Sequence, residues 1–228
     1  MKYWLALVCS ISVLSAGAQN NDLIRKLRAA NQKPDMAYDY KIVLYDAIQK
    51  KKVDSAVGRL AVVNGAYLDS NNYTCTARVG DYFCSLDHAK KTATICNMKI
   101  LAKKMGTRLE NNEAKTLYNI SDSLLLNEGN MTIDSSDTRM YRVSIRLKNN
   151  ALSYAQMDFW RNGCKLAAVH LETVYKSPGE HRITSVTIRN IKHQPGEACL
   201  DVSKIYSLSN GKAVLSPKYT HYKLIPVH

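Results

Sequence analysis

The chain has 228 residues, with 32 lysines and arginines against 19 aspartates and glutamates, a net charge of +13. It is 46% hydrophobic and 22% charged, which excludes a disordered or low-complexity chain. The length suits one domain with a sizeable core and is marginal for two.

The first residues read as an export leader. Lys2 gives a short positive start, Trp4 to Leu14 an apolar stretch, and Ala16-Gly17-Ala18 the small residues that a signal peptidase reads. Cleavage is expected before Gln19, so that residues 1–18 are a signal peptide and 19–228 a single domain. The apolar run is shorter than the roughly 20 residues a membrane span needs. Cys9 follows Val8, not the small residue that a lipoprotein-type cleavage requires. No later segment has the length and apolarity of a span, so no transmembrane segment is expected.

Past the leader, Leu23, Ile24, Leu27 and Ala30 fall on one helical face, and Pro34 ends the element. From Tyr38 the period changes to two: Tyr38, Tyr40, Ile42 and Leu44 alternate with Asp39, Lys41 and Val43. Strands are expected over Ala56 to Val63, Asn72 to Val79, Tyr82 to Leu86 and Thr92 to Cys96, an antiparallel meander with hairpin-length connections. Asn97 to Met105 predicts a short helix stopped by Gly106, and Leu109 to Leu126 a second one ending at Gly129.

Strands then resume. Thr138 to Leu147 puts Tyr141, Val143 and Ile145 on one face and Met140, Arg142 and Arg146 on the other. Ala151 to Trp160 and Lys165 to Val174 flank Asn162-Gly163, a strong hairpin signal. His181 to Lys192 is a further strand, followed by a turn at Asn210-Gly211 and a last strand near Tyr219 to Ile225. The expected fold is α+β: a long curved antiparallel sheet, an unclosed β-barrel of about nine to eleven strands, with helices covering its concave side.

Five cysteines follow the leader: Cys75, Cys84, Cys96, Cys164 and Cys199. An oxidising compartment allows them two disulfides and one free thiol. Their spacing is not that of a zinc site, and no metal or cofactor is expected. With Val79-Gly80 as a two-residue turn, Cys75 and Cys84 face each other across a hairpin within disulfide range. Cys164 with Cys199 is the weaker pairing.

The order of elements resembles the LolA-like and LolB-like fold of periplasmic lipoprotein carriers, in the divergent form of Bacteroidota-type envelopes. The likeness is carried by three stretches. One is the leading helix with the strand Tyr38 to Asp46. The next runs from Gly58-Arg59-Leu60-Ala61-Val62-Val63 through Gly80-Asp81-Tyr82-Phe83-Cys84 to Lys91-Thr92-Ala93-Thr94-Ile95. The third is the hairpin at Asn162-Gly163 with the strand Arg182 to Ile191. The resemblance implies a periplasmic location, with secretion as the alternative. It implies a lipid or an acylated protein as ligand, and an outer-membrane receptor or envelope complex as further partner. The family's functional arginine has no matched position here; Arg25, Arg28 and Arg59 are candidates by location.

No catalytic constellation stands out. The chain lacks a Gly-x-Ser-x-Gly elbow, a His-Glu-x-x-His pair and a phosphate-cradling glycine loop, and no enzyme is expected. A Cys/His hydrolase would need Cys84 or Cys96 beside His88 or His170. The lysine clusters at 50–52, 90–91 and 103–104 sit at expected turns or on a helix face and read as solvated surface, so no nucleic-acid partner is expected. Two functions remain. In one, Ile42, Leu44, Leu60, Val62, Val143 and Ile145 line an apolar cavity that carries a lipid or the acyl chains of a lipoprotein. In the other, the same fold is a non-catalytic docking subunit of an envelope complex.

Overall fold

The computed structural model describes residues 20–33, 35–105, 117–126, 131–146, 152–177, 180–209 and 212–225. The leader, the helix stop at Gly106 and the turn at Asn210-Gly211 lie outside these residues. Helix α1 covers residues 20–30. A first meander follows: β1 (Met36–Asp46), β2 (Lys52–Val63), β3 (Ala66–Asn71), β4 (Thr74–Val79), β5 (Tyr82–Asp87) and β6 (Thr92–Asn97). Helices α2 (Met98–Met105) and α3 (Leu117–Leu125) lead to a second: β7 (Met131–Asp134), β8 (Met140–Arg146), β9 (Leu152–Trp160), β10 (Leu166–Ser177) and β11 (Glu180–His193). Short 3-10 turns, the hairpin β12 (Tyr206–Ser209) and β13 (Lys212–Leu215), and β14 (Lys223–Ile225) complete the chain.

The two meanders form one open twelve-stranded sheet in the order β14-β6-β5-β4-β3-β2-β1-β11-β10-β9-β8-β7. This is the unclosed α+β architecture expected, with more strands. β3 and β7 were not anticipated, and β14 joins β6 in parallel rather than antiparallel fashion. β3 exists because Asn64 and Gly65 take positive φ of 50° and 75°, a two-residue turn whose twist matches the flanking strands. At Asn162-Gly163 the hairpin forms through a longer turn, closed by Trp160 N–H donating to the Lys165 carbonyl at 2.8 Å.

The β4–β5 turn corrects the expected disulfide. It is built on Gly80-Asp81, with Gly80 at φ 56°, and not on Val79-Gly80. The register shifts accordingly: Cys75 stands opposite Leu86, and Cys84 opposite Ala77. Cys75 and Cys84 are therefore diagonal neighbours on one face, and both are free thiols.

Strand order dictates what covers each face. β6 and β7 lie toward opposite ends of the sheet, so the connection between them has to cross it, and helices α2 and α3 occur in that connection. Leu124 and Leu125 of α3, with Leu27 of α1, pack on what is called here the inner face, against Val143, Ile145, Met157 and Phe159. Arg28 bolts the two helices together, donating from Nε to Asp122 at 2.7 Å and from Nη2 at 3.3 Å. Asn31, buried at the end of α1, donates to the carbonyls of Leu27 and Cys164 and accepts from Leu166 N–H, which fixes the helix to the β9–β10 turn.

The return from β11 to β14 covers the outer face. Ile205, Tyr206 and Tyr219 from this segment close a second core over Cys75, Ala77, Cys84, Leu86 and Ala93. The sheet thus carries two cores, on opposite faces and in opposite halves.

Leu27 is fully buried at the contact of α1 with the sheet. Leu27→Ala is expected to cost about 2–5 kcal/mol through lost transfer energy and the cavity left behind. Urea denaturation of the two proteins measures this.

Candidate functional site

Register assigns each inward side chain to a row across the sheet. Met36, Val62, Tyr67, Arg78 and Phe83 form one row; Tyr38, Leu60, Asp69 and Thr76 the next; Tyr40, Gly58 and Asn71 a third. Ile42 and Leu44 continue along β1 beyond them. All six residues expected to line a cavity face inward. Their surroundings differ, however. Val143 and Ile145 are 0% exposed within the helix-covered core, and Val62 is buried as well. Leu60 and Tyr40 stand at the rim of that core, while Ile42 and Leu44 are half-buried past it.

The three arginines considered by location part company. Arg28 joins α1 to α3. Arg25 pairs with Asp22 on its own helix. Arg59 projects on the outer face, with its guanidinium 3.8 Å from the Cys199 sulfur.

A polar group on the inner face went unread in the sequence. Tyr40 lies over Gly58, its cross-strand partner: a Cβ added at Gly58 would fall 2.6 Å from Tyr40 Cζ. Only a residue without a side chain leaves that passage across β2. Through it the Tyr40 hydroxyl donates to Asp69 Oδ1 at 2.7 Å. Asn71 Nδ2 donates to the same hydroxyl at 3.0 Å and to Thr74 Oγ1 at 3.2 Å. Burial pushes the Asp69 carboxyl above its ordinary range, only partly offset by the Tyr40 hydrogen bond. Burial raises Tyr38 to about 12, with the Asp69 charge adding to it. Tyr40 is raised by burial and by its hydrogen bond to Asp69, with the Asn71 hydrogen bond opposing, and Tyr67 by burial, with Arg78 opposing. The charge is not matched by an ion pair: among the described residues no salt bridge involves Asp69.

The Cys/His pairs are not assembled as a nucleophile and its base. Burial, with Cys75 and Cys96 nearby, pushes the Cys84 thiol up to about 12, so it is held protonated. His88 Nδ1 lies 2.9 Å from the Tyr222 hydroxyl, and His170 contacts Thr187 and Glu172, each at 3.3 Å. Among the described residues no cluster of three or more His, Cys, Asp or Glu is placed to hold a metal. No helix among them is long and apolar enough to cross a membrane. On the outer face a shallow groove of about 700 Å³ runs past Gln156, Asp158, Trp160, His170 and Arg189.

No protein-family model matches the chain, and no curated protein matches it significantly. Among solved structures it is similar to LprF from Mycobacterium bovis, at 9% identity and a TM-score of 0.42, over 78% of this chain and 97% of that one. It is also similar to the lipoprotein LppX from Mycobacterium tuberculosis, at 14% identity and 0.38, over 78% and 98%. A third is a LolA superfamily protein from Nitrosomonas europaea, at 6% identity and 0.33, over 79% and 96%. Likeness of this degree assigns no ligand and no residue role to this chain.

Two outcomes follow from the Asp69 group. Gly58→Ala drives a methyl group into Tyr40 and Asn71 and is expected to cost about 1–3 kcal/mol. It should also release Tyr40 from Asp69, so that spectrophotometric titration finds one tyrosine ionising closer to the ordinary range. Asp69, raised by burial, binds its proton more tightly in the folded than in the unfolded chain, so its contribution to stability is fully present below its unfolded value and lost as pH rises through the folded one. Asp69→Asn should therefore be the more stable protein at neutral pH, with the gain shrinking toward about pH 3, as read by urea melts at the two pH values.

Proposed function

We propose that the chain is an exported binding protein that holds a lipid, or the acyl chains of a lipoprotein, against the inner face of its sheet. One observation carries this reading. The core under α1 and α3 stops at Tyr40 and Leu60, and the apolar surface does not: Ile42 and Leu44 continue it, half-buried, along β1, and the ring of Tyr67 on β3. Such a surface suits an extended apolar chain laid beside the core. Each methylene removed from water contributes about 0.8 kcal/mol, so affinity should climb about fourfold per carbon until the surface is filled. Ile42, Leu44 and Leu60 would touch the ligand, and Val62, Val143 and Ile145 would support them from within the packing.

The leader read at residues 1–18 supports a periplasmic protein, or a secreted one. The reading involves no catalysis and no cofactor. Its partners would be a lipid or acylated protein and, for delivery, an outer-membrane receptor or envelope complex, without nucleic acid. The docking-subunit alternative is favoured by one feature: the inner face beneath the helices is filled by Val143, Ile145 and Phe159, all 0% exposed.

Native mass spectrometry of gently purified protein, followed by lipid extraction, tests the choice. A near-stoichiometric lipid or acylated peptide is expected, with occupancy reduced in Ile42→Glu. A bare mass that takes up no lipid on incubation would overturn the carrier reading in favour of docking.

A further inference from the structure

We infer that the ligand carried on the inner face ends in a protonated amine, received by Asp69 with the phenol groups of Tyr38 and Tyr67. This rests on the carrier reading and specifies the polar end of its ligand. The argument begins with an imbalance. Asp69 is a half-buried carboxylate on the face where the apolar ligand would lie, and its charge acts on Tyr38, Tyr40 and Tyr67 of the same face. Its hydrogen bond comes from the Tyr40 hydroxyl at 2.7 Å, a neutral donor. Among the described residues no salt bridge involves Asp69, and a carboxylate withdrawn from water in that state is costly. A site that maintains such a group has an affinity for positive charge built into it.

The hydrogen bonds of Tyr40 and Asn71 are already committed and leave acceptors on offer. Asn71 directs Nδ2 to the Tyr40 oxygen and to Thr74, and Tyr40 directs its proton to Asp69 Oδ1. Oδ2 of Asp69 makes no hydrogen bond with the described residues. An alkylammonium group has three N–H donors and no acceptor. One donor can address Oδ2 and leave two for neighbouring phenol oxygens, while tyrosine ring faces favour cations electrostatically. Arg78 is the neighbouring cation on this face; it stands opposite Tyr67, one row from Asp69, whose own partner on β4 is Thr76. Leu60 separates Tyr38 from Asp69 within their row, so apolar contact and charge recognition adjoin.

The net charge of +13 makes the test demanding, because it favours anionic amphiphiles everywhere on the surface. Dodecylamine, dodecanol and dodecanoic acid, equal in chain length, are titrated into the whole protein by calorimetry below their micelle concentrations. The amine is expected to bind about tenfold tighter than the alcohol, the scale of a charge-assisted hydrogen bond. Asp69→Asn, which keeps an oxygen for Tyr40, should bring the amine down to the level of the alcohol while its circular dichroism stays that of the parent. Equal binding of amine and alcohol, or a preference that survives Asp69→Asn, overturns the headgroup assignment and leaves the carrier reading standing. Binding of none of the three overturns both.

Discussion

The pairing of β1 with β11 is the interaction on which the rest of the molecule depends. It brings Met36 opposite His193 and Asp46 opposite Arg182, uniting meanders made at either end of the domain. Within each meander the strands are joined by local turns, whereas this seam joins residues far apart in sequence. Its closure entropy has to be met before its contacts stabilise anything. Once it exists, β6 and β7 are committed to opposite ends of one sheet, and both long connections must cross it. The helices take one face and the C-terminal segment the other. Two cores on two faces are thus a consequence of one pairing.

Strand type and parity were legible in the residues wherever apolar and polar positions alternated. Ile42, Leu44, Leu60, Val62, Val143 and Ile145 all face as their alternation indicates, because a side chain in a strand has only two directions to choose from. What alternation does not report is the depth of packing above a face. Val143 and Ile42 share a pattern, yet one is sealed beneath helices and the other is not, a difference made by α1 and α3 from distant sequence. β3 was missed for a different reason. Ala-Tyr-Leu-Asp-Ser-Asn is too polar to announce a strand, but Asn64-Gly65 before it is a hairpin signal as strong as Asn162-Gly163. Reading that turn would have set Tyr67, Asp69 and Asn71 on the inner face. The Cys75–Cys84 error has the same root, since a turn placed one residue early displaced the pairing by two.

The inner face changes chemistry along its length. Beneath the helices it is wholly apolar; across β1 to β3 it is built from tyrosines, leucine and one carboxylate; on β4 to β6 it turns to Thr76, Ser85 and Thr94. The Asp69 group occupies the boundary. Gly58 is what makes that boundary possible, since a side chain there would part β1 from β3 chemically although the strands would still pair. Tyrosine suits the zone because one end of it is apolar and the other polar, and Tyr38, Tyr40 and Tyr67 all stand there.

β14 is three residues long, yet its position gives it an influence beyond its size. It lies in parallel along β6, a strand reading Thr-Ala-Thr-Ile-Cys-Asn with neither charge nor proline. Left open, such an edge is a template for another copy of itself. More than a hundred residues separate the two strands in the chain, so β6 leaves the ribosome long before its cover does. Wherever the sheet forms before residues 223–225 have docked, that border stands open to a neighbouring chain.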